Sequence, residues 1–375
     1  MYTPMNINLQ ILFVAIFIFI LSFLLTPFKV AAQPQYFIVK GKVVDKNTNA
    51  PLIGASVFAQ NTTIGEATDA QGNFSIRLPE GGYSLVTTFT GYETESIRVN
   101  ASSKNDSLLF ELNPEEKSLE AVTISISNEV PDGWEKYGSF FIDNFIGQTN
   151  FSKQCVIKNP EVLHFYFIKK RNTLKVKAKE PLIVDNFSLG YTLKFAIDSF
   201  TNDYNSKTNL FIGYPLFEEM HGTPEQQETW NKNRAIAYKG SLLQFMRSLY
   251  ERSLEEDGFE LQFIVNNNGE DYPIQIGDLY GALNYKKDDS TQTVEFFPNQ
   301  SEVAVIYKSH PEKNYFNLDS TAKKTFQLST LIFPKGETFF IDQNGYFYDQ
   351  EDLITNGYLG YKKIADMLPY DYKPE

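Results

Sequence analysis

The first part of the chain alternates short apolar runs with turn residues. From residue 36 to about residue 126, runs rich in β-branched and aromatic residues recur every 8 to 12 positions, separated by Asp, Asn, Gly and Pro. This spacing is typical of a β-sandwich. The predicted strands are 37–44, 55–59, 65–68, 74–78, 83–89, 95–99, 107–112 and 121–126.

Beyond about residue 130 the pattern becomes mixed. Strands are predicted at 163–168, 174–178, 182–184, 191–200, 210–214, 259–265, 294–297, 303–307, 326–333, 338–341 and 346–348. From 224 to 256 apolar residues recur at steps of three and four, which predicts one long amphipathic helix. A short helix is predicted at 361–367. The chain is therefore expected to be mainly β with some α, a sandwich of seven or eight strands followed by a larger β-rich α+β domain.

The first 32 residues are predicted to be a secretory signal peptide. Residues 11–25 are an apolar run of fifteen, shorter than the roughly 20 residues of a membrane-spanning helix, and small residues at Val30 and Ala32 resemble a cleavage site. The mature chain then starts at Gln33, with no transmembrane segment after signal removal. A retained membrane anchor is the alternative.

Turn residues place the boundary between the two predicted domains near residue 130. Residues 128–133 contain a Pro and a Gly and are predicted to be a linker. The predicted organisation is a signal peptide at 1–32, a sandwich domain at 33–127, the linker, and a β-rich domain at 134–375.

Composition narrows the classes of function. The 375 residues include 46 acidic and 34 basic side chains, a formal net charge of -12, which disfavours nucleic acid as a partner. The single Cys155 excludes an intramolecular disulfide. The three histidines, His164, His221 and His310, lack the spacing of zinc ligands. No metal ligand or cofactor site is predicted.

Four motifs of the sandwich region carry a resemblance to a known family. They are the strings at 41–45, 51–57 and 68–74, and the pair at 91–92. Together they resemble the carboxypeptidase-like regulatory domain, whose fold is a transthyretin-like β-sandwich. The structural motif residues are Gly41, Asp45, Pro51, Gly54, Asp69, Gly72, Phe74, Gly91 and Tyr92.

The resemblance implies structural roles and no chemistry. It implies that Gly54 relieves crowding at the entry to the second strand, that Asp69 to Gly72 form the turn between the third and fourth strands, and that Tyr92 packs over a sheet corner. The peptidase activity in the family's name belongs to a separate zinc domain, whose ligand set this chain lacks.

The family context implies a location. Similar modules occur in outer-membrane receptors and other envelope proteins of Gram-negative bacteria, so a periplasmic or outer-membrane-associated protein is expected. Phrases at 157–160, 189–191, 238–241 and 363–369 resemble an uncharacterised region that accompanies the module in secreted envelope proteins. That second resemblance implies no activity.

Four residues of the predicted long helix are candidates for binding. Trp230 and Tyr238 could offer aromatic faces, and Arg234 and Arg247 fixed donors, to an acidic or sugar ligand. The favoured interpretation is a core-facing stripe with basic side chains on its flank.

No catalytic residue is predicted. Ser241 lacks the Gly-x-Ser-x-Gly context and is expected to be helical, His164 is expected to be packed or paired, and Cys155 is expected to be buried and apolar. The acidic clusters at 218–219, 255–257 and 288–289 are expected to be solvated loops.

The leading hypothesis is a secreted cell-envelope protein with a non-catalytic structural or binding role, an adaptor whose partner is an envelope protein or a surface glycan. One alternative is a hydrolase that acts on an extracellular polymer through carboxylates of the C-terminal domain. The other is a carbohydrate-binding sandwich, against which the module's aromatics are expected to be core residues. These are Phe37, Phe58, Phe74, Tyr83, Phe89 and Tyr92.

Overall fold

The alternating runs at the start of the chain form seven strands. The structure is a computed structural model and describes residues 35–115, 128–289, 291–312, 315 and 325–374. The strands are β1 (Tyr36–Asp45), β2 (Ser56–Ala59), β3 (Gly65–Ala67), β4 (Asn73–Pro79), β5 (Tyr83–Thr88), β6 (Glu95–Val99) and β7 (Leu108–Leu112). Seven of the eight predicted strands are thereby confirmed. The eighth, at 121–126, and the predicted signal peptide lie outside the described residues.

These strands form two sheets packed face to face. One has the order β4-β1-β7, with β1 antiparallel to β4 and parallel to β7. The other has the order β3-β2-β5-β6 and is antiparallel throughout. Between them lies one apolar core, which includes Val39, Val43, Val57, Leu78, Leu85 and Phe110. We call this part the module.

The next part of the chain builds a six-stranded sheet behind a helix. Its elements are α1 (Gly133–Phe145), β8 (Cys155–Ile157), β9 (Leu163–Ile168), β10 (Thr173–Ala178), β11 (Leu182–Asn186), β12 (Tyr191–Asp203) and β13 (Thr208–Glu219), with 3-10 turns at Phe151–Gln154, Pro160–Val162 and Lys169–Arg171. The order is β8-β11-β12-β10-β9, and β13 pairs along β12. Phe141 and Phe145 of α1 are fully buried against this sheet.

The predicted long helix is wrong in one respect, because the structure has two helices there. These are α2 (Pro224–Tyr238) and α3 (Leu242–Glu251). Gly240 between them has a φ of +66°, which no helix contains. Ser241, expected to be helical, is instead the N-cap of α3, and its hydroxyl accepts a hydrogen bond from the Gln244 backbone N–H at 3.0 Å.

The remaining elements form two further sheets around a second apolar core. They are β14 (Phe259–Asn267), β15 (Glu270–Gln275), α4 (Leu279–Ala282), β16 (Lys286–Asp288), β17 (Thr293–Phe296), β18 (Glu302–Tyr307), β19 (Gln327–Ile332), β20 (Phe339–Asp342), β21 (Ile354–Asn356) and α5 (Gly357–Tyr361), with 3-10 turns at Gln350–Asp352 and Ile364–Asp366. Their orders are β15-β14-β18-β19-β21 and β16-β17-β20. Residues 128–374 are called the body below.

Two other predictions of elements are corrected. The short helix expected at 361–367 is replaced by α5 and by the 3-10 turn Ile364–Asp366, because Lys363 has an extended backbone between them. The strand expected at 346–348 is a single β-bridge between Phe347 and Ile341.

The residues from Tyr36 onward form one compact unit, in which module and body are in contact. Residues of the predicted linker are paired with strand β9, since the Val130 N–H donates to Phe165 O at 2.9 Å and the Phe167 N–H donates to Asn128 O at 2.8 Å. Among the described helices, none combines the length and apolarity required to cross a membrane.

Candidate functional site

The contact between module and body begins at the loop after β2. Thr62 forms a parallel bridge with Leu216 of β13. On either side of it the Asn61 N–H donates to Pro215 O at 2.7 Å, and the Phe217 N–H donates to Thr62 O at 2.9 Å. The module thereby continues the backbone pairing of the body.

Side chains of the module extend this contact. Phe58 of β2 and Val86 of β5 are cross-strand partners that form a small apolar cluster with Leu216 of the body, separate from the core of the sandwich. Directly paired residues of a sheet point to the same face. Strands β2 and β5 at the centre of the sheet are therefore buried on both faces, inside by the sandwich and outside by the body, while β3 is exposed.

A second contact is an ion pair in an aromatic setting. Arg98 of β6 pairs with Asp342, whose side chain is fully buried. The Arg98 guanidinium carbon lies 4.0 Å from the Tyr348 ring centroid and 4.7 Å from that of Tyr346. The Tyr348 hydroxyl also donates to Asp342 Oδ1 at 3.3 Å. A side chain at Gly82 would collide with this pair, since an added Cβ would stand 2.7 Å from Asp342 Oδ2.

The end of the described chain lies against the module as a third contact. The Tyr370 N–H donates to Asn61 O at 2.6 Å. The Asp371 carboxylate accepts from the Thr63 N–H at 3.0 Å and from the Thr63 hydroxyl. Arg247 of α3 donates to Tyr370 O at 3.0 Å and so holds this segment from the other side.

A cleft of about 250 Å³ lies where the module, α2 and the terminal segment meet. Pockets often occur at such junctions. Its walls include Thr63, Tyr191, Glu219, Arg234, Asp371 and Tyr372.

Of the four predicted binding residues, Arg234 lines this cleft, but its donors are used within the fold. Arg234 is 6% exposed. Its guanidinium donates to Leu189 O at 2.8 Å, to Gly190 O at 3.2 Å and to Glu219 at 3.1 Å, and it lies 3.9 Å from the Tyr191 ring centroid.

The other three predicted binding residues do not line the cleft. The Trp230 indole N–H donates to Phe187 O at 2.9 Å, and its buried ring packs on Gly190. Tyr238 contacts Tyr372 with ring centroids 5.8 Å apart. The Arg247 guanidinium lies 5.6 Å from the Tyr238 ring centroid. The four side chains thus lie among packed elements of the fold.

The motif residues of the module hold its turns. Asp45 Oδ1 accepts from the Thr48 N–H at 2.7 Å, and Asp45 Oδ2 accepts from the Tyr92 hydroxyl at 2.8 Å. These hydrogen bonds lower the pKa of Asp45, and the bond from Tyr92 has the largest effect. Asp69 accepts from the Gln71 and Asn73 N–H groups, both at 2.8 Å, and its pKa is lowered mainly by Asn73.

Gly54 is not required to relieve crowding, so the expectation for this residue is wrong. A Cβ there would meet nothing within 4 Å, whereas its φ is +78°, so the backbone conformation and not crowding favours glycine. Crowding does apply at Gly41, where a Cβ would stand 2.4 Å from Leu108 O and 2.6 Å from the Phe74 ring.

The side chains considered as catalytic candidates are paired or buried within the fold. His164 Nδ1 lies 2.8 Å from Glu129 Oε1, which confirms a paired histidine. Burial raises the pKa of Cys155 to about 12, which opposes a thiolate nucleophile. In the acidic clusters, Glu218 pairs with Lys194 at 2.6 Å, and Asp257 accepts from the Ser248 hydroxyl at 2.7 Å.

The module has one sheet face that none of the described elements covers. The strands of β4-β1-β7 alternate exposed and buried residues, as a half-buried sheet does. On the outer face Tyr36, Ile38 and Leu109 are 46%, 53% and 51% exposed. Arg77, the register partner of Ile38, lies with its guanidinium carbon 4.1 Å from the Tyr36 ring centroid. We call this the outer face.

Sequence reasoning missed the ion pair of Arg98 and Asp342. The two residues are 244 positions apart, and neither belongs to a local motif that names a partner. A sequence signal for the contact between module and body does exist in β5. This strand reads Tyr-Ser-Leu-Val-Thr-Thr and lacks the regular alternation of apolar and polar residues that a half-exposed strand shows. A strand of this kind is expected to be covered on both faces.

Comparison with known proteins identifies the module. Residues 39–124 match the family model of the CarboxypepD_reg-like domain. Over 70 residues the chain is 40% identical to the TonB-dependent receptor SusC of Bacteroides thetaiotaomicron, a match that covers 19% of this chain. The chain spans only 7% of the length of that receptor.

Solved structures with similar parts include two DUF3823 family proteins. The protein from Parabacteroides merdae is 12% identical, covers 52% of this chain and 87% of its own, and has a TM-score of 0.19. The protein from Bacteroides ovatus is also 12% identical, covers 50% of this chain and 83% of its own, and has a TM-score of 0.18.

Proposed function

We propose that this protein is a secreted, non-catalytic component of a Gram-negative cell envelope, and that its module is an adaptor that binds another envelope protein. The observation that carries the proposal is the different burial of the two sheets of the module. One sheet is covered by the body on its outer side, while the other presents the outer face to solvent. The module is thus a fixed part of the fold with one side left for a partner.

The chemistry of the outer face suits a protein partner. Aromatic residues and Arg are enriched where proteins meet, and a Tyr stacked with an Arg is typical of residues that dominate binding energy. Tyr36 and Arg77 form such a pair beside the exposed Ile38. Lys40 and Ser75, a register pair, continue the face with polar groups. This mixture favours a protein surface over a membrane or an apolar ligand.

Similarity supports the envelope location. The 70-residue match is to a protein named as a TonB-dependent receptor. We expect cell fractionation to recover the protein with the periplasm or the outer membrane. Recovery in the cytoplasm would contradict this location.

Affinity capture from solubilised envelopes tests the adaptor role. The wild-type chain is expected to retain a reproducible partner protein, and Ile38→Glu or Arg77→Glu is expected to lose it, because both changes place a negative charge on the outer face. Ile236→Glu is the matched control, since Ile236 is 60% exposed and lies on α2, outside the outer face. Direct binding of the purified partner to the three variants completes the test.

Two results would overturn the proposal. One is that the outer-face variants and the wild type retain the same proteins. The other is that the retained material is a polysaccharide, which would favour the glycan-binding alternative.

The hydrolase alternative gains no support from the geometry. Glu218 and Glu219 form ion pairs with Lys194 and Arg234. Asp257 accepts a hydrogen bond from the Ser248 hydroxyl. Turnover of a glycan or peptide substrate by the purified protein, abolished by one Asp→Asn or Glu→Gln change, would establish that alternative instead.

A further inference from the structure

A second cavity lies in the body, beneath the chain segment that follows α5. Its volume is about 160 Å³. Its apolar walls come from the β13 strand, α3, α5 and the terminal segment, and include Phe211, Leu242, Leu243, Phe347, Leu359 and Leu368. An apolar cavity of about 150 Å³ holds one benzene ring. The cavity therefore has room for one small organic molecule.

One buried carboxylate at this cavity is only partly hydrogen-bonded within the described part of the chain. Asp366 is 5% exposed. Its Oδ2 accepts from the Thr149 hydroxyl at 2.8 Å, whereas its buried Oδ1 has no hydrogen-bond partner among the described residues. An unpaired buried polar atom is costly, and such atoms usually mark a place that a water or a ligand completes.

Lys362 and Lys363 line the same cavity, and their ammonium groups are not fully hydrogen-bonded among the described residues. The Lys362 ammonium donates to Lys239 O at 3.2 Å, which uses one of its three protons. The Lys363 ammonium lies 5.8 Å from the Phe211 ring centroid and has no carboxylate within ion-pair distance among the described residues. Burial lowers the pKa of both lysines. Asp366 and Glu312 compensate the charge of Lys362, whereas no carboxylate of the described residues acts on Lys363. An uncompensated ammonium next to an apolar wall favours the approach of an anion.

The charges define what kind of molecule the cavity takes. Asp366 and Glu312 lie close to Lys362, so the unmatched positive charge at the cavity is that of Lys363, and the remaining surface is mostly apolar. We propose that this cavity binds a small organic monocarboxylate, with its carboxylate at Lys362 and Lys363 and an apolar body of about one ring in size against Phe211 and the leucines. This site is independent of the outer face, so either proposal can fail alone.

The proposal predicts a dependence on pH. Burial raises the pKa of Asp366 to about 6, and Lys362 partly opposes this shift. Glu312 also acts on both groups, raising the pKa of Asp366 and of Lys362. A negative Asp366 repels a bound anion, so affinity for the carboxylate is expected to rise as the pH falls through about 6.

Calorimetric titration of the purified full chain with benzoate tests the site. Benzoate is expected to bind at one site, and benzyl alcohol and benzylamine, which share the ring but lack the negative charge, are expected to bind about tenfold more weakly or not at all. Lys363→Met is expected to weaken benzoate binding about tenfold. Lys232→Met is the control, because Lys232 is a surface residue of α2 paired with Glu228.

Absence of benzoate binding, equal binding of the three compounds, or unchanged binding by Lys363→Met would each overturn the proposal. The comparison of the three compounds uses the wild-type protein and so does not depend on the folding of a variant.

Asp366→Asn tests whether Asp366 faces the bound carboxylate or has only a structural role. The variant keeps the size of the side chain and removes its charge. It is expected to bind benzoate about threefold more tightly than wild type near pH 7.5 and to lose the pH dependence near pH 6. The same pH dependence in wild type and variant would show that Asp366 does not face the bound carboxylate.

Discussion

Hydrogen bonds to single carboxylates explain what the acidic motif residues do in the module. Asp45 at the end of β1 joins its own turn to Tyr92, 47 positions later, through one bond of 2.8 Å. The pKa of Asp45 is lowered by this bond, so its stabilising contribution is present above the pKa of the unfolded chain and is lost as the pH falls through the lower, folded value.

Tyr92→Phe is expected to raise the pKa of Asp45 toward its ordinary value. The variant is then expected to be less stable than wild type at neutral pH and to lose less stability in acid, because the pKa values of Asp45 in the folded and unfolded chain become similar. Titration of the aspartate carboxyl carbons by NMR measures the change, with Tyr36→Phe as the control. An unchanged Asp45 pKa in Tyr92→Phe would contradict the assignment of this bond.

Asp366 gives the opposite pH dependence. Its folded pKa of about 6 lies above its ordinary value, so the folded chain binds the proton more tightly and this contribution to stability declines as the pH rises from about 4 to about 6. A shift of two units corresponds to about 3 kcal/mol. Asp366→Asn is therefore expected to be more stable than wild type at neutral pH by up to about 3 kcal/mol, measured by urea unfolding. Lower stability of the variant at both pH 5 and pH 7 would contradict this account.

Arg98 is expected to be the residue whose loss most weakens the contact of module and body. Arg98→Met leaves the buried Asp342 carboxylate without its counter-ion, and the expected loss in free energy of unfolding is about 2–4 kcal/mol. Arg77→Met removes a similar side chain from the outer face and is expected to cost about 0.5 kcal/mol or less. Equal losses in the two variants, measured by urea unfolding, would show that the ion pair is not important.

At the scale of elements, the break between α2 and α3 depends on one glycine. Gly240 has a φ of +66°, and a Cβ there would stand 2.6 Å from the Tyr307 ring. Gly240→Ala is expected to cost more than about 2 kcal/mol, from both the backbone conformation and the clash. Gly269→Ala, with a φ of +87° and open space around it, isolates the backbone contribution and is expected to cost about 1 kcal/mol. Urea unfolding of both variants measures the difference, and equal costs would contradict the crowding at Gly240.

The elements that the sequence predicts well are those with a clear local period. Strand β9 carries a run of apolar and aromatic residues and β14 begins with alternating apolar and polar residues, so their positions follow from the pattern. Helix α1 was not predicted, although Phe141 and Phe145 have helical spacing, because Gly138 interrupts its centre. Strand β15 was not predicted because Pro273 stands between Tyr272 and Ile274, and a Pro inside a run disfavours a strand; all of its residues are exposed.

At the scale of the whole molecule, the sequence motifs identify the module but not its attachment. Contacts such as Arg98 with Asp342 and Thr63 with Asp371 join residues 244 and 308 positions apart. No local pattern specifies pairs of this separation. The cleft and the outer face follow from that attachment, and for this reason neither could be predicted from the sequence.

The central claim is that module and body form a single folded unit, which leaves only one sheet of the module free. Native-state hydrogen exchange followed by mass spectrometry tests it, by comparing peptides of β5 in the module with peptides of β12 in the body over a series of low urea concentrations. We predict that both open with the same free energy and the same urea dependence, and that Arg98→Met makes β5 open first. Exchange of β5 at a lower free energy than β12 in the wild-type protein would contradict the claim.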